Sequence, residues 1–155
     1  MTRRPSRKEL EQCTTALETC ACLKLRKASR AITRYFEDAL RPCGLRPTQM
    51  PILVTLAVHE RITVTQLAQQ LVMDTSSMTR SLRALAAPGF IALETGKGGH
   101  TQAVTLTPRG RTLVTQALPL WTHAQKQFIT EFGPKRWQRL QGLLPAVQDV
   151  TQGPL

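Results

Sequence analysis

Between Thr63 and Leu85 the apolar positions follow a helical period in two short runs with a break between them. The first run has apolar residues at i, i+3, i+4 and i+7, which predicts a helix with one apolar face. These residues are Val64, Leu67, Ala68 and Leu71. Thr63 and Gln66 have the spacing of a capping box, which predicts where this helix begins. After the break, Asp74 or Thr75 is expected to cap a second helix.

The second helix has an apolar inner face and an outer face of hydroxyls and arginines without any carboxylate. The inner face consists of Met78, Leu82 and Leu85. The outer face consists of Thr75, Ser76, Thr79, Arg80 and Arg83. Two short helices, a tight turn and such an outer face are typical of a helix-turn-helix whose second helix lies in the major groove of DNA.

A longer amphipathic helix is predicted from Leu10 to Leu40. Its apolar stripe has spacings of three and four residues and consists of Leu10, Cys13, Leu17, Cys20 or Ala21, Leu25, Ala28, Ile32, Phe36 and Ala39. An unbroken helix of this length would extend about 45 Å, longer than a small domain needs for its own core, so we expect it to pack on something else. After it, Thr48 is expected to cap a helix with Pro51 in its first turn. Residues 61–62 are expected to be a short connection into the helix-turn-helix.

Two strands are predicted at 90–94 and 102–106, separated by a glycine-rich hairpin tip over 95–101. A basic hairpin directly after a recognition helix is interpreted as a wing. Thr107 followed by Pro108 predicts the start of a helix towards Phe132.

Two further features are predicted in the C-terminal part of the chain. Pro119 is expected to kink the helix that starts after Thr107, or to mark a boundary in it. A last helix is predicted from Lys135 to about Val147, with an apolar side formed by Trp137, Leu140, Leu143 and Leu144.

The charge of the chain favours a polyanionic partner. The 155 residues include 21 Lys and Arg against 10 Asp and Glu, a formal charge of +11, and nucleic acid is the commonest partner of such a surface. The basic residues 1–8 are interpreted as a loose arm, either solvated or in contact with phosphates. No apolar run reaches the roughly 18 residues of a membrane span, and no apolar signal core follows the N-terminus, so we expect a cytoplasmic protein.

The order of these parts resembles the MarR family of winged helix-turn-helix regulators. The matching stretches are LRPTQMPILVTLA (45–57), TVTQLAQQLVMDTSSMTRSLRALAAPGFI (63–91) and VTLTPRGR (104–111). The resemblance implies a mainly α fold with a small β wing (α+β), in one domain over 1–155. It implies dimerisation helices over 1–44 and 112–155 around a winged helix-turn-helix over 45–111. It also implies a homodimer, a palindromic operator in double-stranded DNA and a small-molecule effector.

The chain departs from the family in the wing. The family usually carries an Asp–x–Arg pair there, with the arginine in a minor groove, and the matching positions here hold Gly98 and His100. Lys97 or His100 could take over that contact, but neither has the planar fork of an arginine. We therefore expect the wing to contribute less than is usual in the family.

The candidate DNA-binding residues are concentrated on the second helix of the helix-turn-helix. Arg80 is the best candidate for bidentate contact with a guanine edge. Arg83, one turn further, is expected to reach a phosphate. Short hydroxyl donors for bases or phosphates are supplied by Ser76, Ser77 and Thr79. Thr75, Lys97 and His100 complete the set. The alternative is an exposed polar face without a partner.

The cysteines are expected to be thiols. On a continuous helix Cys20 and Cys22 would point about 200° apart, which argues against a shared metal site. Cys22 stands eight residues before Arg30, the spacing of the reactive cysteine in the organic-hydroperoxide sensors of the MarR family. The two tyrosines of those sensors correspond here to Arg26 and Phe36. We favour a structural Cys22 and a small-molecule effector, such as an aromatic acid, over an oxidation switch.

No catalytic or metal-binding pattern stands out. The three histidines have no short metal spacing, there is no Ser/His/Asp arrangement, and Trp121 and Trp137 are interpreted as dimer packing rather than a ligand pocket. We therefore predict a non-enzymatic transcription regulator without a cofactor, most simply a repressor released by a small molecule. The alternatives are a thiol-based sensor acting through Cys22 and a non-specific architectural DNA-binding protein.

Overall fold

The structure, a computed structural model, describes the backbone of residues 3–96 and 101–152 and the side chains of 3–96 and 103–150. The helices are α1 (Arg7–Thr19), α2 (Ala21–Leu40), α3 (Met50–His59), α4 (Val64–Gln70), α5 (Thr75–Ala86), α6 (Pro108–Phe132) and α7 (Pro134–Gln152). The strands are β1 (Arg61–Thr63), β2 (Ile91–Thr95) and β3 (Thr101–Leu106). No helix of this described part is long and apolar enough to cross a membrane. A mainly helical fold with a small sheet is confirmed.

The helix-turn-helix forms where the sequence predicts it. The capping box of α4 is complete, because the Gln66 amide donates to Thr63 Oγ1 at 3.2 Å and the Thr63 amide donates to Gln66 Oε1 at 3.2 Å. Asp74 caps α5 and accepts a hydrogen bond from the Ser77 amide at 2.8 Å. The predicted inner face of α5 is buried, with exposed fractions of 0–2% at Met78, Leu82 and Leu85. This burial turns the opposite face of α5 outward.

The sheet is antiparallel with strand order β1–β3–β2. The two wing strands are confirmed to within a residue. The interpretation of Arg61 and Ile62 as a mere connection was wrong, because β1 pairs with β3 and sets Ile62 beside Val104 in the core. Strand β1 has only three residues, too few for the alternation of apolar and polar positions that would predict a strand. The predicted contacts of the hairpin tip, Lys97 and His100, lie outside the described residues.

The core lies in the winged part of the chain and extends to the first half of α6. Its largest fully buried side chains come from four helices and the central strand: Leu40, Ile52, Leu53, Leu56, Leu67, Met78, Leu85 and Val104. In α6, Leu113 and Ala117 join this cluster. Helix α6 packs on α2, α3 and β3, and through them it shares one core with the helix-turn-helix.

The prediction of one helix from Leu10 to Leu40 was wrong, because the helical conformation is interrupted at Cys20, between α1 and α2. Cys20 has an extended backbone, with φ −60° and ψ 110°, and its Sγ accepts a hydrogen bond from the Leu23 amide at 3.4 Å as the cap of α2. Helix α1 has no buried residue in this chain. A stripe at helical spacing cannot distinguish one straight helix from two helices that meet at a cap.

The predicted cap of α3 was also wrong, and so was a boundary at Pro119, one of the two alternatives given for that residue. Thr48 does not cap α3; the cap is Gln49, without a side-chain cap bond, and its Oε1 accepts from the Arg46 amide at 3.0 Å instead. Pro119 marks no boundary, because α6 runs through it. Proline lacks an amide proton, so α6 has one backbone hydrogen bond fewer at this point. The burial of Ala117 before Pro119 and of Ala124 after it stabilises the helix in spite of this loss. The cap of α6 at Thr107 is confirmed by a 3.0 Å bond from the Gly110 amide.

Candidate nucleic-acid interface and an adjoining apolar cleft

The exposed face of α5 forms a shallow concavity of about 350 Å³. Its lining is the predicted outer face of the helix: Thr75, Ser76, Thr79, Arg80 and Arg83. Ser77, also predicted as a contact, is half-buried beside it. The structure therefore brings all the described candidate DNA-binding residues except Ser77 to one exposed face of one helix.

This concavity is positively charged. Within the described residues, neither Arg80 nor Arg83 takes part in an ion pair. The nearest carboxylate along the helix, Asp74, is already bound at its N-terminus. Hydrogen bonds from the Ser77 hydroxyl and amide hold the pKa of Asp74 below its usual value, so the group stays ionised as a cap. Both guanidinium groups are thus available to an anionic partner.

The hydroxyls on this face are not equivalent. The Thr79 hydroxyl donates to the Thr75 carbonyl at 2.8 Å, within the helix. Ser76 forms no hydrogen bond through its side chain among the described residues. Of these two hydroxyls, only that of Ser76 has a proton not used by another described residue, and the DNA contacts of both side chains remain predictions.

An ion pair at the root of the wing was not found from the sequence. Arg61 on β1 binds Glu94 on β2 across the central strand, with Nη2 at 2.6 Å from Oε2 and Nε at 3.2 Å from Oε1. The Arg61 hydrogen bonds lower the pKa of Glu94, and those to Glu94 raise the pKa of Arg61. Only the strand order places these residues together, and periodicity carries no information on strand order.

An apolar cleft of about 170 Å³ lies between α2, α6 and the start of α3 with the segment before it. It is lined by Ile32, Thr33, Phe36, Pro47, Pro51 and Trp121. The rings of Phe36 and Trp121 stack with centroids 6.2 Å apart. None of the lining residues carries a charge, and Thr33 supplies a hydroxyl. Trp121 thus lines a cleft, whereas Trp137 packs edge-on against Phe128 at 5.8 Å.

The helices outside the winged part, here called the framing helices (α1, α2 and α7), expose apolar side chains that no other part of the described chain covers. They are Leu10, Leu17, Leu25, Leu140, Leu143 and Leu144, with exposed fractions of 37–65%. They lie on α1, α2 and α7, away from the core of the winged part. Such a surface is typical of an interface between chains.

The cysteines do not form a metal site in the described part of the chain. Cys13, Cys20 and Cys22 are exposed, and all four cysteines are free thiols. Cys43 is half-buried and donates to the Leu40 carbonyl at 3.1 Å. Phe36, at the position of a sensor tyrosine, lines the apolar cleft and offers no hydroxyl to Cys22.

The fold and the exposed face of α5 define a winged helix-turn-helix protein with long framing helices. Residues 45–95 match the model of the MarR family. This matched stretch, about a third of the chain, is similar to the MarR family of transcriptional regulators. The curated proteins compared with the chain give no match.

Several solved structures are similar in fold to this protein over most of its length. The M. tuberculosis transcriptional regulator MosR is 28% identical, with a TM-score of 0.73, over 86% of this chain and 99% of its own. A mutant MarR from E. coli complexed with operator DNA is 20% identical, with a TM-score of 0.73, over 85% and 96%. Bordetella bronchiseptica BpsR, whose DNA binding is regulated by 6-hydroxynicotinic acid, is 20% identical, with a TM-score of 0.74, over 84% and 95%.

Proposed function

We propose that this protein is a cytoplasmic, sequence-specific transcriptional repressor that binds a palindromic DNA site as a homodimer. The observation that carries this proposal is the α5 face, where two unpaired arginines and several hydroxyls line one exposed concavity without a carboxylate. An α-helix with such a face fits the major groove. A MosR structure in complex with DNA, 27% identical to this chain, supports it.

The residues of the concavity take different roles in this proposal. Arg80 reads a guanine through O6 and N7, because a guanidinium matches both acceptors. Arg83 binds a phosphate and adds affinity without sequence preference. Ser76 donates to a base or to the DNA backbone, whereas the Ser77 hydroxyl is engaged by Asp74. Contacts from the wing by Lys97 and His100 are proposed from the sequence alone.

The homodimer is proposed to form through residues 1–44 and 112–155, which frame the winged helix-turn-helix of 45–111. The exposed leucines of α1, α2 and α7 support this division. Two copies of α5 related by a two-fold axis would read half-sites about one helical turn apart, near 10 base pairs centre to centre.

The proposed effector site is the apolar cleft between α2 and α6. Its uncharged lining and stacked Phe36 and Trp121 favour a neutral aromatic molecule with one hydrogen-bonding group, rather than an aromatic acid. A buried carboxylate without a cation to pair it would be costly. A ligand between α2 and α6 changes the spacing of the recognition helices and releases the DNA.

Selection of bound fragments from a random DNA library, followed by footprinting at about 0.15 M salt, tests the proposal. We expect a bounded palindromic footprint that needs more protein in the variant Arg80→Ala, with the preference relaxed at one base position per half-site. Uniform coating of DNA by the wild-type protein would instead establish a non-specific architectural binder. A bounded site that survives every aromatic ligand tried but is released by peroxide would replace the small-molecule effector with a thiol switch.

A further inference from the structure

The state of the Thr79 side chain points to a specific kind of base contact, which rests on the proposed DNA binding. The hydroxyl of Thr79 donates to the Thr75 carbonyl at 2.8 Å. A hydroxyl that bonds back to the preceding turn has used its single proton. What Thr79 can still present to a partner is its γ-methyl group and an acceptor oxygen.

The position of Thr79 makes that methyl group a contact surface. Thr79 is partly exposed and lines the same concavity as Arg80 and Ser76. A threonine on a helix has few χ1 rotamers, and the 2.8 Å bond selects among them. The methyl group is therefore held in place before any partner binds, which limits the side-chain entropy lost on binding.

Thymine is the base that presents a methyl group in the major groove, and the methyl of threonine is one of the apolar groups that contact it. We propose that Thr79 determines specificity by packing its γ-methyl on the C5-methyl of a thymine in each half-site. Arg80 would then recognise a guanine by hydrogen bonds, and Thr79 would recognise a nearby thymine by an apolar contact. This role differs from that of a hydroxyl donor, which the sequence suggests for Thr79.

The contact can be tested by removing the methyl from the DNA. In the selected site, each thymine is replaced in turn by uracil, which keeps the hydrogen-bonding edge and lacks only the C5-methyl. We expect one symmetric position at which uracil weakens wild-type binding about three- to fivefold per half-site, the effect of one buried methyl-sized group. The other thymine positions should change less.

Two substitutions then separate the methyl from the hydroxyl. Thr79→Val keeps a methyl at the same place and loses the hydroxyl, so it should still discriminate thymine from uracil. Thr79→Ser keeps the hydroxyl and loses the methyl, so it should bind both sites equally. Thr130→Ser is the matched control, because Thr130 makes the same bond back to Lys126, at 2.9 Å, on α6.

The outcomes distinguish this inference from the proposed function. Selection of no bounded site would overturn both. A bounded site at which uracil has no effect at any position would overturn the thymine contact and leave the repressor intact. Retention of full thymine preference by Thr79→Ser, or its loss in Thr79→Val with the melting temperature unchanged, would also overturn it.

Discussion

Gly110 packs against the carbonyl of Phe90 so closely that a Cβ built on Gly110 would lie 2.0 Å from that oxygen. The same carbonyl accepts a 3.1 Å hydrogen bond from the Thr107 amide, and the Thr107 hydroxyl donates to the Gly89 carbonyl at 2.7 Å. The start of α6 is thereby fixed to the end of the recognition unit and the start of the wing.

The first prediction is that Gly110→Ala lowers the free energy of unfolding. The new methyl group would overlap with the carbonyl of Phe90 and lie 2.8 Å from Leu106 Cδ1, so the backbone must shift to accommodate it. Overpacking of this kind costs about 1–3 kcal/mol. Urea unfolding of the dimer, at a fixed protein concentration, measures it.

Gly142→Ala is the control for this prediction. Gly142 lies inside α7, where an added Cβ meets nothing within 4 Å. Alanine in a helix interior is more favourable than glycine by about 0.5–1 kcal/mol, so the control should be neutral or stabilising. Equal effects from the two substitutions would show that the contact of Gly110 with Phe90 is not tight.

The second prediction concerns the two arginines of α5. Arg80→Ala should cost about 1–3 kcal/mol at the specific site and relax the preference at one base position per half-site. Arg83→Ala should weaken binding to all sequences alike and reduce the salt dependence, because a phosphate contact is lost. Titrations of specific and random duplexes at several salt concentrations measure both. An unchanged ratio of specific to random affinity in Arg80→Ala would contradict the base-reading role.

The sequence-based predictions are most accurate where a periodic apolar pattern extends over many residues and has recognisable caps. Val64 to Leu85 carries two amphipathic periods and two caps, and the structure confirms it nearly residue by residue. The break at Cys20 could not be predicted, because the apolar stripe continues across it. Strand β1 and the pair formed by Arg61 and Glu94 depend on strand order, to which local sequence gives no access.

The third prediction concerns the dimer interface. Leu143→Glu should weaken the homodimer, because Leu143 on α7 is 63% exposed in the single chain and would carry a charge into the interface. Val58→Glu is the control, since Val58 is 72% exposed on α3 in the winged part. Sedimentation equilibrium at micromolar concentration measures the association of both variants. A well-folded wild-type monomer of 17.3 kDa would contradict the proposed homodimer.

The fourth prediction is an acid-dependent loss of stability at the recognition helix. The pKa of Asp74 is lowered by its hydrogen bonds to Ser77, so its cap stabilises the fold above the unfolded pKa of about 3.9. That contribution is lost as pH falls through the lower, folded pKa. Asn at this position caps equally well but does not titrate.

Thermal unfolding of wild type and Asp74→Asn from pH 7 to 2 tests this sign. The melting temperature of wild type should fall relative to that of the variant below about pH 4. Other carboxylates, such as Glu94, are common to both proteins and cancel in the difference. A constant difference across this range would mean that the Asp74 carboxylate does not act as a charged cap.

The last prediction decides between a small molecule and an oxidant. Cys22 is exposed in the first turn of α2, but Phe36 packs on Trp121 in the apolar cleft and cannot hydrogen-bond a thiolate. A reactive thiol needs both access and stabilisation of the thiolate. Arg26, four residues along α2, is the cation one turn further on the same face of the helix as Cys22, whereas Lys24 lies on the opposite face. We therefore expect stoichiometric cumene hydroperoxide to leave wild type and Cys22→Ser bound to DNA alike. Peroxide-dependent release in wild type that Cys22→Ser abolishes would make this protein an oxidation switch, and the cleft between α2 and α6 would lose its role as the effector site.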